Sequence, residues 1–123
     1  MTLARLISEA EGIVAKIQRR LPSELRGLAE KVPVIFYDWP TPEILQEEFD
    51  PDILGLFVGE PHSVEQGLGN GVPTHILLFV ESIFDEAEGD WDIFREEVRL
   101  TYLHELGHYF GWDEDELETR GLG

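Results

Sequence analysis

Residues 90–111, DWDIFREEVRLTYLHELGHYFG, predict one long helix with a recognisable beginning and end. Asp90 is a typical N-cap residue, since its carboxylate can accept a hydrogen bond from a main-chain N–H of the first turn. Gly111 is a typical residue at the end of a helix, because glycine adopts the left-handed conformation without steric cost. We therefore predict a helix from Trp91 to about Phe110.

The rest of the sequence predicts a second long helix and three strands. Apolar side chains recur at helical spacing over residues 2–20, a pattern that favours an amphipathic helix covering a sheet. Runs rich in β-branched and aromatic residues predict strands at Val32–Tyr37, Ile53–Gly59 and Thr74–Glu81. The remaining predicted elements are short: a helix at Ser23–Glu30, a helix capped by Thr41 that runs from Pro42 to about Glu48, a loop or wide hairpin connection at Pro61–Pro73, and a helix at Asp113–Arg120.

The order of these elements defines the fold class. Helices come first, three strands follow, and helices end the chain, which is typical of the α+β class. A length of 123 residues suits one hydrophobic core. We expect a single domain over residues 1–123, with a small, mainly three-stranded sheet packed on the N-terminal helix and the long helix.

The charge of the chain is strongly negative and unevenly distributed. The net charge is −17; residues 1–31 hold six basic and four acidic residues, whereas residues 32–123 hold three basic and 22 acidic residues. Since so acidic a body repels phosphate groups, we expect neither nucleic acid nor a membrane surface as a partner. The charged N-terminal segment and the absence of cysteine predict a cytoplasmic protein.

The predicted long helix carries the motif His104-Glu105-Leu106-Gly107-His108, in which two histidines stand four residues apart. Residues at positions i and i+4 of a helix lie one above the other, so both imidazoles can bind one metal ion. Glu105 is rotated by about 100° round the helix, which leaves it outside the ligand set but within reach of a water that the metal activates. The motif predicts one Zn²⁺ ion, with Glu105 as the general base, and the same ligand types also suit iron, cobalt and nickel.

A third metal ligand is expected shortly after the helix, because catalytic zinc sites normally have three protein ligands. Gly111 allows a sharp turn three residues after His108, and a side chain three residues further on can return to the metal. That residue is Glu114, and its neighbours Asp113 and Asp115 can each take its place.

The segment HELGHYFGWDEDELE (residues 104–118), with the predicted strand upstream and the stretch GLFVGEP (residues 55–61), resembles the small zincin-like family of bacterial metallopeptidases, which are single domains of about this size. The motif of that family is similar to the metzincin motif, H-E-x-x-H-x-x-G-x-x followed by His or Asp. The chain departs from this pattern by having Glu114 at the last position. It also lacks the methionine turn of true metzincins, since Met1 is its one methionine.

The resemblance implies a minimal zincin-like fold and assigns a role to each motif residue. It implies that His104 and His108 are metal ligands, that Glu105 is the general base and that Glu114 occupies the third-ligand position. In zincins, a strand at the edge of the sheet pairs with an extended peptide substrate. The resemblance therefore makes Thr74–Glu81 a candidate for such pairing, and a central, purely structural position of this strand is an equally open alternative.

Two functions follow from these expectations. The first is a zinc-dependent metallopeptidase, a hydrolase that acts on a peptide or protein substrate. The second is a catalytically silent zinc-binding domain that acts as a binding or regulatory module, which the departure at Glu114 favours. A peptide deformylase is excluded, because that family needs a cysteine ligand and the chain has no cysteine. His62 and His75 are isolated histidines, and we expect neither to bind the metal.

Overall fold

The computed structural model describes residues 2–46, 49–59, 74–112 and 114–119. Along these residues the elements are, in order, α1 (Leu3–Arg20), α2 (Ser23–Ala29), β1 (Val34–Tyr37), α3 (Pro42–Leu45), β2 (Gly55–Val58), β3 (His75–Phe79), α4 (Val80–Glu86), α5 (Trp91–Phe110) and α6 (Glu114–Thr119). The predicted α+β class, with a small three-stranded sheet, is confirmed. The predicted loop at Pro61–Pro73 and the predicted helix end near Glu48 lie outside the described residues.

The three strands form one mixed sheet with β3 in the centre. β1 runs parallel to β3, with Phe36 opposite Leu78, and β2 runs antiparallel to β3, with Phe57 opposite Ile76. The third predicted strand was expected either at the edge or in the centre of the sheet, and it lies in the centre as β3. Because β1 and β2 occupy both sides of β3, the central, structural alternative is the right one for Thr74–Glu81, and the alternative of pairing with a substrate is wrong.

The third strand is also shorter than predicted. Val80 and Glu81 were expected to extend it, but they form the first turn of α4. The apolar run continues from strand to helix without a break, and Val80, Ile83 and Ala87 are all buried at helical spacing. A short apolar run fits a strand and a buried helix equally well, so the pattern does not show where one ends and the other begins.

Helices α1 and α5 pack against each other and run in the same direction. Gln18 on α1 donates a hydrogen bond from Nε2 to the Tyr102 hydroxyl on α5 at 3.0 Å, and Arg95 lies 3.2 Å from Glu9 nearer the start of both helices. Ile76 on β3 has no exposed surface and packs into the core with both helices. Burial of one such aliphatic side chain contributes about 1.5–3 kcal/mol, so the contacts between the sheet and these two helices stabilise the fold.

Candidate metal centre

Helix α5 begins and ends as predicted, and its last two turns carry the motif. The Asp90 side chain accepts a hydrogen bond from the N–H of Ile93 at 3.0 Å, which caps the first turn. Gly111 has φ of 78°, in the left-handed region, and the N–H of Trp112 donates to the carbonyl oxygen of Gly107 at 2.9 Å. This closing turn satisfies a carbonyl at the helix end and fixes the direction in which the chain leaves the motif.

The two histidines of the motif converge at the surface of α5. The Nε2 atoms of His104 and His108 lie 3.2 Å apart, and the ring planes are inclined at 84°. Two nitrogens that share a tetrahedral zinc ion at about 2.0–2.1 Å are separated by roughly 3.3 Å. The imidazoles therefore already have the separation that a shared zinc ion requires, so these residues fit the metal.

The carboxylate of Glu105 completes the cluster. Its oxygen and the histidine nitrogens all lie within 4.8 Å of one another, and Glu105 is half-buried whereas His108 is exposed. Burial raises the pKa of Glu105, and the neighbouring His104 and His108 act in the opposite direction. A carboxylate whose pKa is raised above its ordinary value is better suited to take and return a proton.

Strand β2 forms the wall beside the cluster. The main-chain N–H of Phe57 donates a hydrogen bond to the Glu105 carboxylate, which lowers the pKa of that group in opposition to burial. The Phe57 ring lies 6.4 Å from the His108 ring. A cavity of about 320 Å³ opens next to the two motif residues; its lining residues are Phe49, Ile53, Gly55, Leu56, Phe57, Glu105 and His108. The cluster therefore has one apolar wall.

Sequence reasoning missed the residues of this wall. The stretch Ile53–Gly59 was predicted as a strand, and β2 occupies Gly55–Val58 within it. The residues of a four-residue strand do not indicate which other strand it pairs with. The position of β2 at the edge of the sheet, beside α5, could therefore not be predicted from its own sequence. The resemblance of the stretch GLFVGEP to the zincin-like family was the sequence feature that indicated a role for these residues.

The residues proposed for the third ligand lie just beyond the closing turn of α5. Glu114 is the first residue of α6, and α6 packs against α5. Asp115 is exposed, and Asp113 lies outside the described residues. The assignment of Glu114 as a metal ligand stays a prediction.

Of the other two histidines, the structure describes His75. His75 is the first residue of β3 and lines a separate cavity together with Tyr37 and Glu43. His62 lies outside the described residues. Among the residues that the structure describes, His104, Glu105 and His108 form the one group of His, Asp and Glu side chains close enough to share a metal ion.

The comparison with protein families agrees with this geometry. The family described as zincin-like metallopeptidase matches residues 29–122, which include all three strands and the whole motif. The chain belongs to this family of zincin-like metallopeptidases. A search of curated protein sequences gave no match. Within the described part of the chain, no helix has both the length and the apolar character needed to span a membrane.

Proposed function

We propose that this protein is a zinc-dependent peptidase that hydrolyses peptide bonds, with Glu105 as the general base. The observation that carries the proposal is the geometry of one cluster. Two imidazole nitrogens lie 3.2 Å apart, and a half-buried carboxylate lies within 4.8 Å of them. Membership of the zincin-like metallopeptidase family supports the same class of activity.

His104 and His108 would hold one zinc ion through Nε2. We propose Glu114 as the third ligand, with Asp113 and Asp115 as alternatives, because all three follow the turn at Gly111. Zinc in such a site lowers the pKa of a water that it binds to about 7 and polarises a carbonyl group.

Glu105 transfers the proton during hydrolysis. Its carboxylate accepts a proton from the attacking water and delivers that proton to the leaving amine. Burial raises the pKa of Glu105, so the protonated form that this transfer needs is less costly than in a solvated carboxylate. The hydrogen bond from the Phe57 N–H fixes the orientation of the carboxylate while the proton moves.

The substrate would lie along β2. This strand pairs on one side with β3, and its Phe57 contacts both Glu105 and His108. An extended peptide can add to the edge of a sheet through main-chain hydrogen bonds, which would bring its scissile bond beside the cluster. The excess of acidic residues favours basic or neutral peptides. The cytoplasmic location and the exclusion of nucleic acid and membrane partners remain predictions.

The first experiment measures zinc content together with peptide hydrolysis. Elemental analysis of the purified protein should give one zinc per chain, lost in His108→Ala and in Glu114→Ala. His75→Ala is the matched control, because this histidine lies outside the cluster, and it should keep the zinc. Glu105→Gln should also keep the zinc and should hydrolyse a peptide library roughly a hundred- to ten-thousandfold more slowly than wild type.

The other outcomes either reassign the third ligand, favour the silent binding module or contradict the proposed mechanism. Zinc lost in His108→Ala but kept in Glu114→Ala assigns the third ligand to Asp113 or Asp115. Tight zinc binding without hydrolysis of any peptide favours the catalytically silent binding module. A wild-type protein that takes up no zinc even when it is supplied, or a Glu105→Gln variant with full activity, contradicts the proposed mechanism.

A further inference from the structure

Strand β2 approaches helix α5 very closely at a glycine. A Cβ atom placed on Gly55 would lie 2.6 Å from Cγ2 of Thr101 on α5. It would also lie 3.1 Å from the carbonyl oxygen of Leu77 and 3.3 Å from Cδ2 of Leu78, both on β3. A distance of 2.6 Å is far inside the optimal carbon–carbon separation of about 3.5–4.0 Å, so any side chain at this position forces something to move.

The element that moves would be β2 and not α5. Thr101 is β-branched and 9% exposed, so it has little freedom to turn its methyl group away. Its neighbours on α5, Val98 and Tyr102, have no exposed surface and hold this part of the helix in the core. β2 is four residues long and has one strand neighbour in the described sheet.

The contact of Gly55 with Thr101 and the contact of Phe57 with Glu105 follow one another along β2 and α5 at nearly the same spacing. Gly55 and Phe57 are two residues apart on one face of β2, a rise of roughly 6.8 Å. Thr101 and Glu105 are one helical turn apart on α5, a rise of roughly 6 Å. Because these distances nearly match, a shift of the strand at Thr101 is transmitted to the contacts of Phe57 with Glu105.

We propose that Gly55 is a positioning residue, whose missing side chain lets β2 lie against Thr101 and so sets where the Phe57 N–H and ring meet Glu105 and His108. The inference rests on the proposed peptidase function, in which Glu105 moves the proton. Gly55 is not itself a proposed metal ligand, and the atoms nearest to a Cβ built on it belong to Thr101, Leu77 and Leu78. Its effect is on the geometry of the general base, and misplacement of such a group by about 1 Å can cost up to a hundredfold in rate.

The test compares Gly55→Ala with a variant that removes the opposing methyl group. Thr101→Ser deletes Cγ2 and keeps the hydroxyl, so the double variant Gly55→Ala/Thr101→Ser should relieve the closest contact. Gly27→Ala is the matched control, because Gly27 lies on α2 and a Cβ atom placed on it would meet nothing within 4 Å. All variants are assayed with a peptide that the wild-type protein hydrolyses, at a temperature at which each is fully folded by circular dichroism.

We expect Gly55→Ala to keep one zinc per chain, with kcat lowered roughly ten- to a hundredfold and KM changed less than about threefold. Thr101→Ser and Gly27→Ala should stay close to wild type. The double variant should recover most of the lost kcat, with the remainder due to the contacts with β3. A purely structural role would lower stability without this split between kcat and KM. Wild-type kcat in Gly55→Ala, or the same loss in the double variant, overturns the inference.

A second measurement separates this inference from the proposed function. The amide proton of Phe57 donates to a carboxylate, so its NMR chemical shift should move when Glu105→Gln is introduced. In the protein as purified, Gly55→Ala should move the same resonance, and the double variant should return it towards the wild-type position. If wild type hydrolyses no peptide, the proposed function fails and this signature still tests the positioning role. An unchanged Phe57 amide in Gly55→Ala overturns the inference whether or not the protein is a peptidase.

Discussion

The ring of Phe57 lies 6.4 Å from the imidazole of His108, and the two planes are within 14° of parallel. The same ring lies 6.2 Å from the buried Tyr109, and the main-chain N–H of Phe57 donates to Glu105. One residue of the edge strand therefore contacts a proposed metal ligand and the proposed general base. The strand and the helix form the centre together, although the motif lies on the helix alone.

We expect Phe57→Ala to weaken both the fold and the metal site. Loss of a half-buried aromatic ring should lower the free energy of unfolding by about 2 kcal/mol. Zinc affinity should fall roughly tenfold, as for other groups that orient a metal-bound histidine. Ile35→Ala is the control, because Ile35 is 40% exposed on the opposite edge strand, and it should leave zinc affinity unchanged. Urea unfolding and competition with a zinc chelator measure the two effects, and equal zinc affinity in Phe57→Ala and wild type would contradict the role of this ring.

The half-buried Glu105 should make the metal-free protein less stable at neutral pH than its glutamine variant. Burial raises the pKa of Glu105 in the folded state above its value of about 4.5 in an unfolded chain. The contribution of this group to stability is therefore fully present below the unfolded-state pKa, and it is lost as the pH rises through the folded-state pKa.

We expect Glu105→Gln to be the more stable protein above this range, with the difference in unfolding free energy growing as the pH rises through it. Urea unfolding of both proteins in the presence of a chelator, at a series of pH values, measures the difference. Both proteins retain His104 and His108, so the comparison measures the loss of the Glu105 carboxylate together with its interactions with these two histidines. A difference that shrinks with rising pH would mean that the carboxylate is stabilised in its ionised form and would refute the prediction.

Tyr102 should contribute to stability through its hydroxyl as well as its ring. The hydroxyl accepts a hydrogen bond from Gln18 at 3.0 Å between α1 and α5, and the tyrosine has no exposed surface. We expect Tyr102→Phe to lower the unfolding free energy by about 1–2 kcal/mol, because the amide of Gln18 loses its partner in a partly buried place. Tyr37→Phe, at a residue that is 37% exposed, should have almost no effect in the same denaturation experiment. Equal losses in the two variants would show that the interhelical hydrogen bond contributes nothing.

The helices were predictable because their signals are local. The helix predicted over residues 2–20 is α1 at Leu3–Arg20, and the helix predicted from Trp91 to about Phe110 has those bounds. The caps at Thr41, Asp90 and Gly111 are side-chain or backbone features of a few residues, and the structure has all three. The histidine pair of the motif was predictable for the same reason, since the i, i+4 spacing is a property of one helix.

The arrangement of the sheet was not predictable in this way. The central place of β3 depends on which strands pair, and that depends on contacts between residues distant in sequence. The boundary between β3 and α4 was missed because the apolar run continues through the buried Val80, and such a run fits a strand and a buried helix equally well. The wall of the candidate metal centre was also missed, because Gly55 and Phe57 reach their contacts with α5 only when β2 lies against that helix.

Two glycines with the same φ angle allow a test of the third metal ligand. Gly111 and Gly89 each have φ of 78° and no atom within 4 Å of a Cβ built on them. Alanine at either position should therefore cost a similar amount of stability, about 1–2 kcal/mol, from backbone strain alone. Gly111 directs the chain from the motif towards Glu114, whereas Gly89 lies in the turn before α5. Relief of this strain at Gly111 would move Glu114 away from the motif, so we expect Gly111→Ala to weaken zinc binding, measured by chelator competition, and Gly89→Ala to leave it unchanged. Equal zinc affinity in the two variants would contradict a metal ligand held in place by this turn.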